Sequence, residues 1–335
     1  MTTAFAPARR GSAIGILEGV TGLAVIAGPL VGGAVAQWLP WPWIFWINVP
    51  IAVAAIPVVL AVVEESFGPD GRVDVIGLAL VSASATAIVW VLSRGNAVGW
   101  SSSEIVVVGV VGVIAGLGFA VWERLVAAPM LPPRLFRSSG FVVGVIAAFL
   151  LAASLYIAVY FMAQYIQGVM GYDSFATGLR LLPWTATLFV VAPLAGALAD
   201  RVGHRGVLSC GLALQALGMA WIALTAHSGG SYAAMVGPLV VTGIGTSAAL
   251  PVTQAAIIGA VAETDIGKAA GTNNMLQELG GVFGIAVGAA VFSASGGTAT
   301  APDLTDGFVA AIAVAAMLAA CAGVVSLTLP RPGRT

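Results

Sequence analysis

Apolar residues run through this chain in long blocks, and charges, prolines and polar residues collect in the short breaks between them. A helix needs roughly 20 mainly apolar residues to cross a bilayer. By that measure the chain holds ten spans, at about 12–37, 42–63, 74–94, 104–126, 140–167, 176–199, 206–226, 232–261, 269–294 and 306–329. The short connections leave no room for a separate soluble domain, so function belongs between the helices. The pattern predicts an all-α polytopic membrane protein of about ten transmembrane helices. Inside the first span, Gly28-Pro29-Leu30-Val31-Gly32-Gly33 would break a helix in water. In a bilayer core unpaired backbone groups are too costly, so the span stays helical and the segment reads as a site of close packing and local bending.

Composition supports the membrane reading. Of 335 residues, 59% are apolar and 8% charged, with a mean hydropathy of +1.03, whereas an ordinary soluble domain carries about 25% charged residues. A net charge of -1 and the lack of any basic run exclude nucleic acid as a partner. Cys210 and Cys321 both fall in apolar spans, where a thiol behaves as a small hydrophobe. Met1 to Arg10 lacks the apolar core and small-residue site of a cleaved signal peptide, so none is expected.

The basic residues orient the spans. With the N-terminus cytoplasmic, Arg9, Arg10, Arg72, Arg124, Arg134, Arg137, Arg201, Arg205, Lys268, Arg331 and Arg334 all lie inside, and only Arg94 and Arg180 lie outside. The positive-inside bias then predicts both termini in the cytoplasm. The outer turn from Trp38 to Trp43, with Phe45 and Trp46, is either an interfacial aromatic belt or a substrate-gating cluster.

Polar side chains at bilayer depth are default site candidates. The densest set is Asn273, Asn274, Gln277 and Glu278, whose four-residue spacings make one polar stripe on a helix. Glu278 falls near mid-membrane, where burial would raise its carboxyl pKa toward neutrality. It is either a proton or cation coupling group or one partner in a neutral interhelical hydrogen bond. Gly280, Gly284 and Gly288 follow at a spacing suited to close helix contact. Glu18, about two turns into the first span, is a second coupling candidate or a group snorkelling at the membrane edge. Gln164 and Gln167 either line the substrate cavity or bond between helices. Arg180 is expected to snorkel. Pro183, Pro193, Pro238 and Pro251 mark bends, gating or static.

Three stretches carry a family resemblance. Gly15 with Gly28-Pro29-x-x-Gly32-Gly33 resembles the antiporter motif of drug–proton antiporters in the major facilitator superfamily, departing from it at Ala24. Trp43-Ile44-Phe45-Trp46-Ile47-Asn48-Val49-Pro50 looks like the start of the next helix in that family. Gly196, Asp200, Arg201, Gly203 and Arg205 match the superfamily's Gly-x-x-x-Asp-Arg-x-Gly-Arg-Arg loop signature, with His204 in a usually basic position. The runs Gln167 to Tyr172 and Gly178 to Pro183 are similar to the fourteen-helix branch.

The resemblance covers essentially the whole chain and implies its division. Residues 1–63 would be the last two helices of an N-terminal bundle, 64–138 two linker helices with cytoplasmic loops, and 139–335 a C-terminal six-helix bundle. The family's first four helices would then stand upstream of Met1 or on a separate polypeptide. The implied function is proton-coupled efflux of small amphipathic compounds across the cytoplasmic membrane, with the Asp200 loop as a conformational latch. The alternative is a fragment that does not transport, or a partner-binding subunit, inactive alone. The expected partners are a small-molecule substrate, protons and the lipid bilayer. No cofactor or metal is expected and the chain reads as no enzyme, for it has no Cys/His cluster, no phosphate-binding Gly-x-x-x-x-Gly-Lys loop and no nucleophile–base pair.

Overall fold

In a bilayer, backbone N–H and C=O groups must bond within their own segment, and helices satisfy that demand. The computed structural model describes residues 27–62, 74–126, 129–227 and 229–330, and every regular element among them is helical. Helix α1 is described over 27–38. The short α2 (Trp43–Trp46) and α3 (Asn48–Val62) make one span, and α4 (Val75–Val98) and α5 (Ser103–Leu125) form a hairpin. A 3-10 turn, Pro133–Arg137, leads to α6 (Ser139–Gly168). Then come α7 (Ser174–Thr185), α8 (Thr187–Val202), α9 (His204–Thr225) and α10 (Tyr232–Gly259). A second 3-10 turn, Glu263–Asp265, precedes α11 (Ile266–Ser295) and α12 (Ala301–Ser326).

Among the described residues, nine stretches are long and apolar enough to cross a membrane. They match nine of the ten expected spans. Residues 12–26 of the remaining span lie outside the described residues.

The differences at the helix ends have local causes. The last helix starts at Ala301, not near 306, because the Thr300 hydroxyl accepts from Asp303 N at 3.2 Å and Pro302 occupies its first turn. The span expected at 176–199 is two helices broken at Ala186, with Pro183 and Pro193 inside them; each proline removes one backbone donor. Lys268 lies within α11 instead of in the preceding break, its ammonium donating to the Pro129 carbonyl at 2.7 Å.

Helix α6 is the hub, packing on α7, α10, α11 and α12. Its buried aromatics set the core. Tyr165 stacks on Phe308 with ring centroids 4.3 Å apart, and Phe161 stacks on Phe292 at 5.1 Å. Lipid offers no hydrophobic drive between helices, so close approach rests on small residues. A Cβ at Gly280 would meet the Phe149 carbonyl oxygen at 2.5 Å, and one at Gly284 would collide with that of Ala153. Gly288 receives Ile157 and Phe161. This glycine edge seats α11 on α6.

Candidate functional site

The polar stripe on α11 splits between two faces. Asn273 is buried and accepts from Gln277 Nε2 at 3.3 Å, on the side of the helix that continues into Gly280 and Gly284. Asn274 and Glu278, one step further around the helix, are exposed. The described helices of this chain therefore leave Glu278 uncovered. The glycine edge presses on α6, which turns the carboxyl away from that seam. Tyr156 of α6 seats its ring against Gly281, three residues beyond Glu278 on α11.

The two glutamines of α6 stand apart from this group. Phe161 meets Gly288 and Phe292, so Gln164, half-buried, and Gln167, exposed, lie still further toward the opposite end of α11. Gly15 and Glu18 lie outside the described residues.

The described part of the Gly-Pro segment packs on α7. A Cβ at Gly178 would collide with the Pro29 carbonyl, and one at Gly33 would meet the Ser174 carbonyl oxygen at 2.6 Å. Trp38 and Phe175 extend the contact with ring centroids 5.0 Å apart. Two of the stretches that carry the family resemblance are thus one interface. Gly28 and Gly32 have nothing within 4 Å of their Cβ positions, so Gly33 makes the close approach.

In the loop between α8 and α9, Gly203 takes φ +91°, a backbone state that favours glycine, and its N–H closes α8 on the Ala199 carbonyl at 2.8 Å. Gly196 opens onto free space. Asp200 and Arg201 are exposed and Arg205 is half-buried. Among the described residues none of the three forms an ion pair. The ion pair present at this end is Arg134 with Asp265. Its guanidinium donates from Nε at 2.9 Å and from a terminal nitrogen at 2.7 Å to the two carboxylate oxygens. That hydrogen bonding and charge hold the Asp265 carboxyl below the usual carboxylate range. Ser138, donating to the Ala260 carbonyl at 3.0 Å, and Lys268 on Pro129 complete a clasp between the 129–138 connection and the α10–α11 turn with the first residues of α11.

Two further polar groups escaped sequence reasoning. Ser154 and Gln215 are fully buried among α6, α9 and α12. Ser154 donates to the Ala315 carbonyl at 2.7 Å and accepts from Gln215 Nε2 at 3.2 Å. At the other end of the bundle, Arg180 lies over the Tyr172 ring, where snorkelling was expected.

A family model for the Major Facilitator Superfamily matches residues 1–189 and 145–335. The chain belongs to the major facilitator superfamily. Among its relatives within that superfamily, the tetracenomycin C resistance and export protein of Streptomyces glaucescens is 30% identical over 84% of this chain and 53% of its own length. The multidrug resistance protein Stp of Mycobacterium tuberculosis is 29% identical over 88% of this chain and 55% of its own. The multidrug export protein EmrB of Escherichia coli is 28% identical over 84% and 56%. This superfamily member spans about half the length of the relatives it matches.

Proposed function

We propose that the chain works in secondary active efflux, moving small amphipathic compounds out across the cytoplasmic membrane in exchange for protons carried by Glu278. The observation that carries this reading is the placement of that carboxyl. It sits about 18 Å along a helix about 45 Å long, on a face that its own bundle leaves open. A carboxylate at such depth facing lipid is costly, so this face belongs to a cavity or to other helices. The export functions in the relatives' names agree with that.

Around this carrier, Asn274 lines the substrate path on α11, with Gln164 and Gln167 at its far end and Glu18 as a second coupling group, while the buried Asn273 holds Gln277 on the adjoining face. The contact of Pro29 and Gly33 with α7 joins residues 1–63, the end of one bundle, to the six-helix bundle of 139–335 across the 64–138 linker. The exposed Asp200 and Arg201 and the half-buried Arg205 form pairs in a second access state. In this reading both termini are cytoplasmic, the side that the distribution of basic residues favours.

A second reading is favoured by α3, of whose 15 residues none is buried. In it the chain acts only with a further polypeptide whose helices cover α3 and the face of Glu278.

Proteoliposomes with an imposed pH gradient test the proposal. The wild-type chain is expected to drive a fluorescent amphipathic dye against its gradient, and Glu278→Gln to reduce this by about tenfold or more, since the amide keeps the shape and loses the titration. Unchanged proton-coupled transport by the variant refutes the assignment. Wild-type activity that appears only on addition of a polypeptide with further apolar spans selects the second reading.

A further inference from the structure

We propose that the guanidinium of Arg180, held between Tyr172 and Tyr232, is a binding site for one oxyanion group, a carboxylate or a phosphate. The site lies at the bundle end formed by the α6–α7 and α9–α10 connections, far from Glu278, and does not depend on the transport reading.

Arg180 is six residues into α7, about 9 Å from its start. Its guanidinium carbon is 3.3 Å from the centre of the Tyr172 ring and 5.3 Å from that of Tyr232. The Tyr232 hydroxyl donates to the Arg180 backbone carbonyl at 2.9 Å, which ties α10 to α7 and fixes that ring. The planar cation is thus presented in one orientation before any ligand arrives.

Its hydrogen bonds are incomplete. A guanidinium has five N–H donors. One terminal nitrogen donates to the Ala176 carbonyl at 3.1 Å, while Nε is buried with no partner. Among the described residues no carboxylate pairs with it. Asp173, in the same connection, is engaged in capping α7, accepting from Ala176 N at 2.7 Å. Aromatic faces offset only part of the cost of desolvating a cation. A snorkelling arginine would carry its head out to water, with every nitrogen solvated. Here the head lies against two rings, and the residue as a whole is half-buried. With Nε buried, the ligand class follows from the two terminal nitrogens, whose spacing matches the oxygens of a carboxylate or a phosphate. Such a group arrives either on an amphipathic acid or on a phospholipid.

Two probes separate those sources on the purified 335-residue chain. The first is 11-(dansylamino)undecanoate, titrated by fluorescence beside its methyl ester. The second is phosphatidylglycerol, with retention of one lipid followed by native mass spectrometry. In wild type the acid is expected to bind about tenfold more tightly than the ester, or one phospholipid to remain bound. Arg180→Gln should abolish the effect. Arg180→Lys keeps the charge but loses the fork, and should reduce it several-fold; it decides the matter if the glutamine variant does not fold. An acid preference lost in the variants identifies a carboxylate site, and a lipid lost in them identifies a phosphate site. If wild type shows neither effect, or if either folded variant matches wild type, the proposal is overturned and Arg180 is an interfacial anchor.

Discussion

The α4–α5 hairpin and the bundle of α6 to α12 are both built from apolar helices, yet they hold together differently. In the bundle, 56% of the apolar stretch of α6 and of α10 is buried, against 11% in α4 and in α5. The hairpin is fastened at its ends by tryptophans on carboxylates. Trp122 donates to both oxygens of Asp74, at 2.9 and 3.1 Å, and Trp90 donates to Glu104 at 3.3 Å. Between these staples Gly116 faces the Ser84 hydroxyl and Gly112 the Ala87 methyl. Some bundle glycines meet main chain instead: Gly280 and Gly284 face carbonyls of α6, and a Cβ at Gly218 would lie 2.5 Å from the Thr242 nitrogen, whereas Gly281 and Gly288 receive side chains. The Ser84 hydroxyl can swing aside, which a helix backbone cannot do. Steric tolerance is therefore greater at Gly116 of the hairpin than at Gly280 and Gly284 of the bundle.

The contrast breaks most sharply at Gly284. Gly284→Leu should push α11 off α6 and destabilise the bundle by about 3 kcal/mol, seen as a lowered thermal midpoint in detergent with the hairpin's hydrogen exchange unchanged. If the midpoint does not move, backbone contact is not what holds this seam. Next in size is Trp122→Phe, which removes an indole donor from Asp74 and should cost about 1–2 kcal/mol. The loss should be confined to faster exchange at the first turn of α4, because Asp74 also caps that helix by accepting from Gly77 N at 2.8 Å. Faster exchange throughout α6 would show that the hairpin and bundle are one cooperative unit. Gly116→Ala is expected to change stability by no more than about 0.5 kcal/mol, since Ser84 can rotate; a large loss there would erase the distinction between the two seams.

The smallest effect concerns the clasp. The Asp265 side chain is 6% exposed but that of Arg134 is 64% exposed, so solvent screens the pair. The folded carboxyl titrates below its ordinary value because Arg134 hydrogen-bonds it. Its contribution is thus fully present above the unfolded value of about 4 and is lost as pH falls through the lower folded value. The midpoint difference between wild type and Asp265→Asn should be present at neutral pH and close only under strong acid. A difference that stays constant through acid would mean that ionisation of Asp265 contributes nothing.

The spans and the glycine edge of α11 were legible because each rests on a local rule: the bilayer thickness for the first, four-residue spacing for the second. Glu278 and Asn274 could be placed on one helix face by the same geometry. Which face would be covered was not legible, because helices rotate about their axes until small residues meet, and the α6 partner surface is over a hundred residues away in the chain. The same distance hid Arg134 with Asp265, 131 residues apart, and Ser154 with Gln215, 61 apart. Tyr232 on Arg180 spans 52 residues. No spacing announces such pairs. Helix breaks at Ala186 and the early start of α12 depend on neighbouring prolines and one threonine cap, and were half-visible in the residues themselves.

Greasy rods in lipid can slide past one another with little penalty, since each position along the axis exposes equivalent surface. Ser154 removes that freedom for three helices at once. Displacing α9 by a single turn, about 5.4 Å, would strand the Gln215 amide against hydrocarbon and leave the serine one bond short. The pair acts as a dowel, letting the bundle tilt as a solid piece while forbidding its members to slip out of step.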